Sequence, residues 1–168
     1  MTSPEGQNAM NQLDRRAQII ADIVARTGID EDLIERLVRR FYAKVRQDDL
    51  LGPIFAARID DWEPHLQRMF AFWSSVALMS GRYGGRPMEK HMRLPVDADH
   101  FDRWLEIFEE TARELCSPAA ADHFVERARN IAQSLELGVA SHHGVLVMKG
   151  ERFRHVAHDI PEEGDRAT

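Results

Sequence analysis

Apolar residues recur along most of the chain at steps of three and four, the spacing of an amphipathic helix. The clearest segment places Ile34, Val38, Phe41 and Val45 on one helical face. No alternation of apolar and polar residues persists long enough to predict a strand. The pattern therefore predicts an all-α protein in which helices pack on helices.

Capping residues, glycines and prolines divide the chain into predicted helices. We expect residues 1–7 to be disordered and a weakly amphipathic helix to follow from about residue 9 to 27, ended by Gly28. Five further helices are predicted. The first starts after Asp30, and the second runs from Trp62 to about Met79. The third fills one or two turns between Pro87 and Pro95, the fourth starts after Asp97 or Asp99, and the fifth starts after Ser117-Pro118.

Length and charge narrow the classes of function. The chain has 168 residues, which favours one domain, and a net charge of -6 without a block of Lys or Arg. This balance argues against nucleic acid or an anionic membrane as a partner. No stretch approaches the ~20 apolar residues that cross a bilayer, and the first residues do not resemble a signal peptide, so we predict a cytoplasmic protein.

Cys116 is the only cysteine. One chain therefore forms no internal disulfide and no cysteine-based zinc or iron–sulfur site. Any metal must be held by histidine, carboxylate or a cofactor.

Four residues that carry polar groups fall on or beside apolar helical faces: Tyr42, His65, His91 and Trp104. Each has a structural explanation when taken alone. Tyrosine and tryptophan commonly fill a core with their polar atom at its rim. A histidine on an apolar face is commonly a hydrogen-bonded core residue, and one in a turn is commonly solvated.

Because of these residues and the spacing between them, the sequence resembles the truncated haemoglobins of the third group over roughly Ile29 to Leu137. The resemblance rests on motifs in a fixed order: Phe41-Tyr42-Ala43-Lys44-Val45-Arg46, Leu51-Gly52-Pro53-Ile54-Phe55, Asp61-Trp62 with His65, Phe72-Trp73, Tyr83-x-Gly85-x-Pro87, His91 with Leu94-Pro95, and His100-Phe101-x-x-Trp104-Leu105.

The resemblance implies a truncated-globin-like helical sandwich around a haem b, whose iron is bound by His91 in the segment Pro-x-x-x-His-x-x-Leu-Pro. A neutral imidazole on a restrained turn suits an axial iron ligand. The competing candidate, His100, lies near a helix start, where we expect a capping or surface residue.

On the other side of the haem, the resemblance implies Tyr42 and Trp104 as hydrogen-bond donors to the bound gas. It implies His65 as a gate or an alternate donor, and the sequence leaves open whether this side chain points in or out. The further haem contacts implied are Phe55, Met69, Phe72 and Leu94. Tyr83, Arg86 and Lys90 are candidates for the haem propionates, with a solvated rim as the alternative.

The implied function is binding of O2, NO and CO, with nitric oxide dioxygenase or peroxidase-type turnover supported by an unidentified reductase. The alternatives are a gas sensor or oxygen buffer without turnover, and a helical interaction module that has lost haem. We expect a partly helical extension at 1–28, a globin domain at 29–138 and a tail at 139–168. The irregular spacing of the tail histidines His142, His143, His155 and His158 favours a solvent-exposed extension over a metal site.

Overall fold

The computed structural model describes residues 4–155 and contains no strand in this range, which confirms the all-α prediction. Its helices are α1 (Pro4–Thr27), α2 (Glu31–Gln47), α3 (Gly52–Ala56), α4 (Trp62–Leu78), α5 (Pro87–His91), α6 (Ala98–Leu115) and α7 (Pro118–His142).

Side-chain caps start the helices where the sequence predicts them. The Asp30 carboxylate accepts a hydrogen bond from the Leu33 backbone N–H at 2.8 Å and starts α2. Asp97 starts α6, and its own N–H donates to Nδ1 of His100 at 3.2 Å. Ser117 caps α7 just before its first-turn proline. These bonds satisfy backbone groups that a helix end leaves free, so helix ends are encoded locally.

The main core lies between α2, α4, α6 and α7 and is dominated by aromatic rings. Trp73 stacks on Phe108 with 4.6 Å between ring centroids, and Phe41 and Phe124 meet this pair edge-on. All four side chains are essentially buried. Burial of one such ring is worth about 1.5–3 kcal/mol, so this cluster holds the helices in their relative positions.

The N-terminal helix begins earlier than predicted. Residues 4–7, expected to be disordered, form the first turn of α1. Pro4 suits the first helical position and Glu5 complements the helix dipole, and both signals precede the first apolar residue of the pattern. Only Ile23 and Thr27 are buried on α1, while Arg16 donates to the Met79 carbonyl on the end of α4.

The expectation of a solvent-exposed C-terminal tail is wrong for part of that segment. Helix α7 continues through Gly138 to His142, because Val139 extends its apolar face. A Cβ at Gly138 would collide with the Met88 sulfur, so α5 packs against α7 at a residue without a side chain. Further along, Phe153 is 2% exposed and belongs to a second core cluster.

The tail histidines that the structure describes lie close together on the surface. His143 lies between His142 and His155, with ring centroids 5.6 and 5.0 Å away. Within residues 4–155, no group of three or more His, Cys, Asp or Glu side chains is arranged to hold a metal ion. His158 lies outside the described residues.

None of the helices described between residues 4 and 155 combines the length and apolarity needed to cross a bilayer.

One buried histidine links α7 to α4 and makes stability depend on pH. His123 donates from Nε2 to the Ala77 carbonyl at 2.9 Å, and burial lowers its pKa. Below about pH 6.5 the unfolded chain takes up a proton here that the folded protein resists, so the free energy of unfolding falls as the pH falls. We expect His123→Gln, whose amide keeps the donor, to lose less stability than the parent between pH 7 and pH 5. Urea unfolding at several pH values measures this, and parallel profiles would contradict it.

Candidate functional site

One cavity of about 260 Å³ opens between the helices and is lined mostly by apolar side chains. Helices α2 to α7 all contribute to its wall. It brings together every site residue predicted from the sequence except one: Tyr42, Phe55, His65, Met69, Phe72, Tyr83, Lys90, His91, Leu94 and Trp104. The exception is Arg86, whose side chain is exposed and pairs with Glu89 at 3.0 Å.

His91 lies at the end of α5, a single turn that starts at Pro87 and cannot continue through Pro95. Its Nδ1 lies 2.6 Å from the Pro87 carbonyl oxygen. Because a carbonyl oxygen only accepts, this contact places the ring proton on Nδ1 and leaves the lone pair of Nε2 free. Burial lowers the pKa of His91, and the charge of the neighbouring Lys90 lowers it further. The hydrogen bond to Pro87 raises this pKa, but the net shift is downward. The side chain is therefore a neutral imidazole on the cavity wall.

Tyr42 comes from α2 and is 6% exposed. Its ring meets the rings of Phe55 and His65 edge-on, with centroids 5.7 and 5.3 Å away. Burial raises the pKa of the phenol well above its usual value, so the hydroxyl keeps its proton. Tyr42 is thus a neutral hydrogen-bond donor on the cavity wall.

His65, from α4, points into the cavity and packs against Tyr42 and Trp62. Within residues 4–155, its Nε2 is the buried side-chain nitrogen or oxygen that has no hydrogen-bond partner. Burial, followed by the charges of Arg68 and Lys90, lowers its pKa to about 4. An unpaired buried polar atom costs about 1–3 kcal/mol, so this nitrogen is suited to a partner that the protein itself does not supply.

Trp104 lies on α6, where it stacks on Phe108 with 5.4 Å between centroids and meets Phe41 edge-on. These contacts hold the indole rigidly, and the residue also lines the cavity. The ring therefore packs against the core and also forms part of the cavity wall.

Sequence reasoning did not single out two arginines that line the cavity, Arg58 and Arg68. Arg68 lies three residues after His65 on α4 and so shares its helical side, and Arg58 lies in the turn that follows α3, three residues after Phe55. That spacing was the available signal. His100 also lines the cavity, and its hydrogen bonds with Asp97 match the capping role expected of it.

The donor set fits a flat apolar cofactor with acidic edge groups. The described residues offer no cluster that could hold a bare metal ion, so an iron here needs most of its ligands from the cofactor. The free Nε2 of His91 would suit an iron, and the arginines, Lys90 and Tyr83 would suit carboxylates at the rim. A porphyrin with propionates has this combination of properties.

Comparison with known proteins agrees with the fold and the cavity. The profile of the bacterial-like globin family matches residues 24–136, and the chain belongs to this family. As a globin it is a haem-based protein that binds diatomic gases such as O2.

The relatives narrow the class to the group predicted from the sequence motifs. The group 3 truncated hemoglobin ctb of Campylobacter jejuni is 34% identical over 113 residues, which cover 64% of this chain and 89% of the relative. The crystal structure of a group III truncated hemoglobin from the same organism superimposes with a TM-score of 0.61, at 34% identity and the same coverage. The group 1 truncated hemoglobin GlbN of a Nostoc species is 36% identical over 70 residues, 41% of this chain and 58% of that protein. The resemblance to group III truncated haemoglobins is thus confirmed.

Proposed function

We propose that this globin binds O2 at the iron of a haem b, with His91 as the protein ligand of the iron and Tyr42, His65 and Trp104 facing the gas. The observation that carries the assignment is the 2.6 Å contact between Nδ1 of His91 and the Pro87 carbonyl. It orients the ring and leaves Nε2 unprotonated at the cavity wall. Outer hydrogen bonds of this kind commonly orient metal-binding histidines and raise their basicity.

Haem, when bound, supplies the iron that takes up the gas and the redox chemistry that follows. The chain supplies cations at the cavity rim, where Arg58, Arg68 and Lys90 would hold the propionates together with the hydroxyl of Tyr83. Arg86 lies outside the cavity, and its ion pair with Glu89 supports the solvated-rim alternative for this residue.

Three residues of the cavity wall would supply hydrogen bonds to the gas. Tyr42 keeps its hydroxyl proton, and His65 has a buried nitrogen free to bond a ligand. The indole N–H of Trp104 is a third donor. A hydrogen bond to a partly charged ligand is worth about 1.5–3 kcal/mol, so donors converging here slow the release of O2. The inward position of His65 supports a role as an alternate donor.

Slow release suits turnover better than transport, because a carrier must give up its cargo readily. The proposed reaction is oxidation of nitric oxide to nitrate, or a peroxidase-type reaction. Nitrate formation from O2 and NO consumes one electron, which requires a separate reductase.

Mixing the oxygenated protein with NO tests the proposed reaction: we expect rapid formation of nitrate and ferric protein. Absence of both products would leave a gas sensor or oxygen buffer.

His91→Ala removes the proposed iron ligand. We expect this variant to retain haem poorly, because no other imidazole is positioned on the same turn. His100→Ala is the matched control, since His100 also lines the cavity, and it should retain haem. Absorption spectra after gel filtration measure retention. Parent-like retention and ferrous spectra in His91→Ala would refute the assignment.

Tyr42→Phe removes one donor and keeps the ring. Loss of a bond worth about 1.4 kcal/mol corresponds to a tenfold change, so we expect the O2 dissociation rate to rise by roughly tenfold or more. Tyr83→Phe is the control, because it removes the hydroxyl of the chain's other tyrosine, which also lines the cavity. Stopped-flow displacement of O2 by CO measures both rates. An unchanged rate in Tyr42→Phe would move the main donor role to Trp104 or His65.

A further inference from the structure

Residues 151–155, here called the C-terminal strap, return from α7 and lie along residues 96–99, where the chain passes from α5 into α6. We propose that the strap is a positioning element: it holds the α5–α6 connection and thereby fixes the orientation of the His91 imidazole. This inference rests on the proposed role of His91 as iron ligand. The strap lies outside residues 24–136, the region that matches the globin profile.

Hydrogen bonds join the strap directly to the connection. The backbone N–H of Ala98 donates to the Phe153 carbonyl at 2.7 Å. In return, the N–H of His155 donates to the Asp97 carboxylate and its ring nitrogen bonds the Val96 carbonyl, both at 3.2 Å. Three consecutive residues of the connection are thus bonded to the strap, two of them through backbone groups.

An ion pair with a buried carboxylate anchors the strap to α7. The Glu136 carboxylate, 8% exposed, accepts from Nε and Nη2 of Arg152 at 2.9 Å and from the Phe153 N–H at 2.9 Å. Arg152 also donates to Asp102 on α6 at 2.7 Å. Because a buried carboxylate left without partners is strongly unfavourable, detachment of the strap is costly.

Apolar packing carries the constraint from the strap to the site. Phe153 is buried in one cluster with Val96 and Phe101, and Leu94 packs against the same cluster. Leu94 and Val96 also line the haem cavity. The N–H of Leu94 donates to the His91 carbonyl at 3.0 Å. Displacement of Phe153 would therefore loosen the wall that immediately follows His91.

Two variants of the full-length, haem-loaded protein test the proposal. Arg152→Ala breaks the anchor, and Phe153→Leu thins the packing while keeping an apolar side chain. We expect each to shift or broaden the iron–histidine stretching band of the ferrous protein in resonance Raman spectra. We also expect haem transfer to excess apomyoglobin to accelerate by roughly tenfold, the lower end of the effect of removing outer partners of metal ligands.

Arg113→Ala is the matched control. Arg113 pairs with two carboxylates, Glu109 and Asp122, near the other end of α6, and its side chain is 44% exposed against 43% for Arg152. It should leave the band and the haem transfer rate unchanged. Should Arg152→Ala and Phe153→Leu lower only the unfolding temperature, with an unchanged band, the strap would be merely structural and the proposal overturned.

A second background separates this proposal from the assignment of the ligand. In His91→Gly supplied with free imidazole, the ligand is no longer joined to the chain, so strap variants should not move the iron–imidazole band. An equal shift in both backgrounds would mean that the strap acts on the cavity in general, which overturns the proposal. A parent-like band in His91→Gly without imidazole would instead refute the proposed ligand.

Discussion

The hydrogen bond from Nδ1 of His91 to the Pro87 carbonyl is the constraint on which the site depends. It forms because His91 lies one helical turn after Pro87 in α5, so the side chain at the last residue reaches the carbonyl at the first. The prolines at 87 and 95 prevent this turn from being absorbed into a longer helix. A ring held in this way has one free nitrogen and little rotational freedom, so it is pre-organised to bind a metal.

The cavity wall differs from the remaining core in how its buried polar groups are paired. Elsewhere, buried polar side chains have partners: Thr111 bonds the Ile107 carbonyl, and Ser74 bonds Glu31. At the cavity, His65 keeps a buried nitrogen unpaired and Tyr42 keeps a proton that burial makes hard to lose. Local violations of polar satisfaction are expected where a protein is built for a ligand. The unpaired nitrogen lowers the stability of the cavity wall, as expected of a site that a cofactor completes.

Local chemistry explains why much of the fold could be predicted from the sequence, whereas the roles of the site residues were expected only from the resemblance to group III truncated haemoglobins. The caps Asp30 and Asp97 act within one helical turn. Helical spacing places Tyr42, His65 and Trp104 on or beside apolar faces, and the resemblance implied that these faces meet around one cavity. Arg58 was missed because an arginine in the turn after a short helix ordinarily faces solvent. The burial of Phe153 was missed for a different reason: its partners, Val96 and Glu136, are distant in the sequence, and the segment around it has no periodicity.

Phe153 shows that the region of similarity is smaller than the unit that folds. This side chain lies 17 residues beyond Glu136, the last residue shared with the family profile. A chain cut at residue 136 would keep the matched region whole, yet it would leave a carboxylate without its arginine and uncover the apolar surface around Val96. Within residues 4–155, tight packing thus reaches Phe153, and family similarity stops short of it.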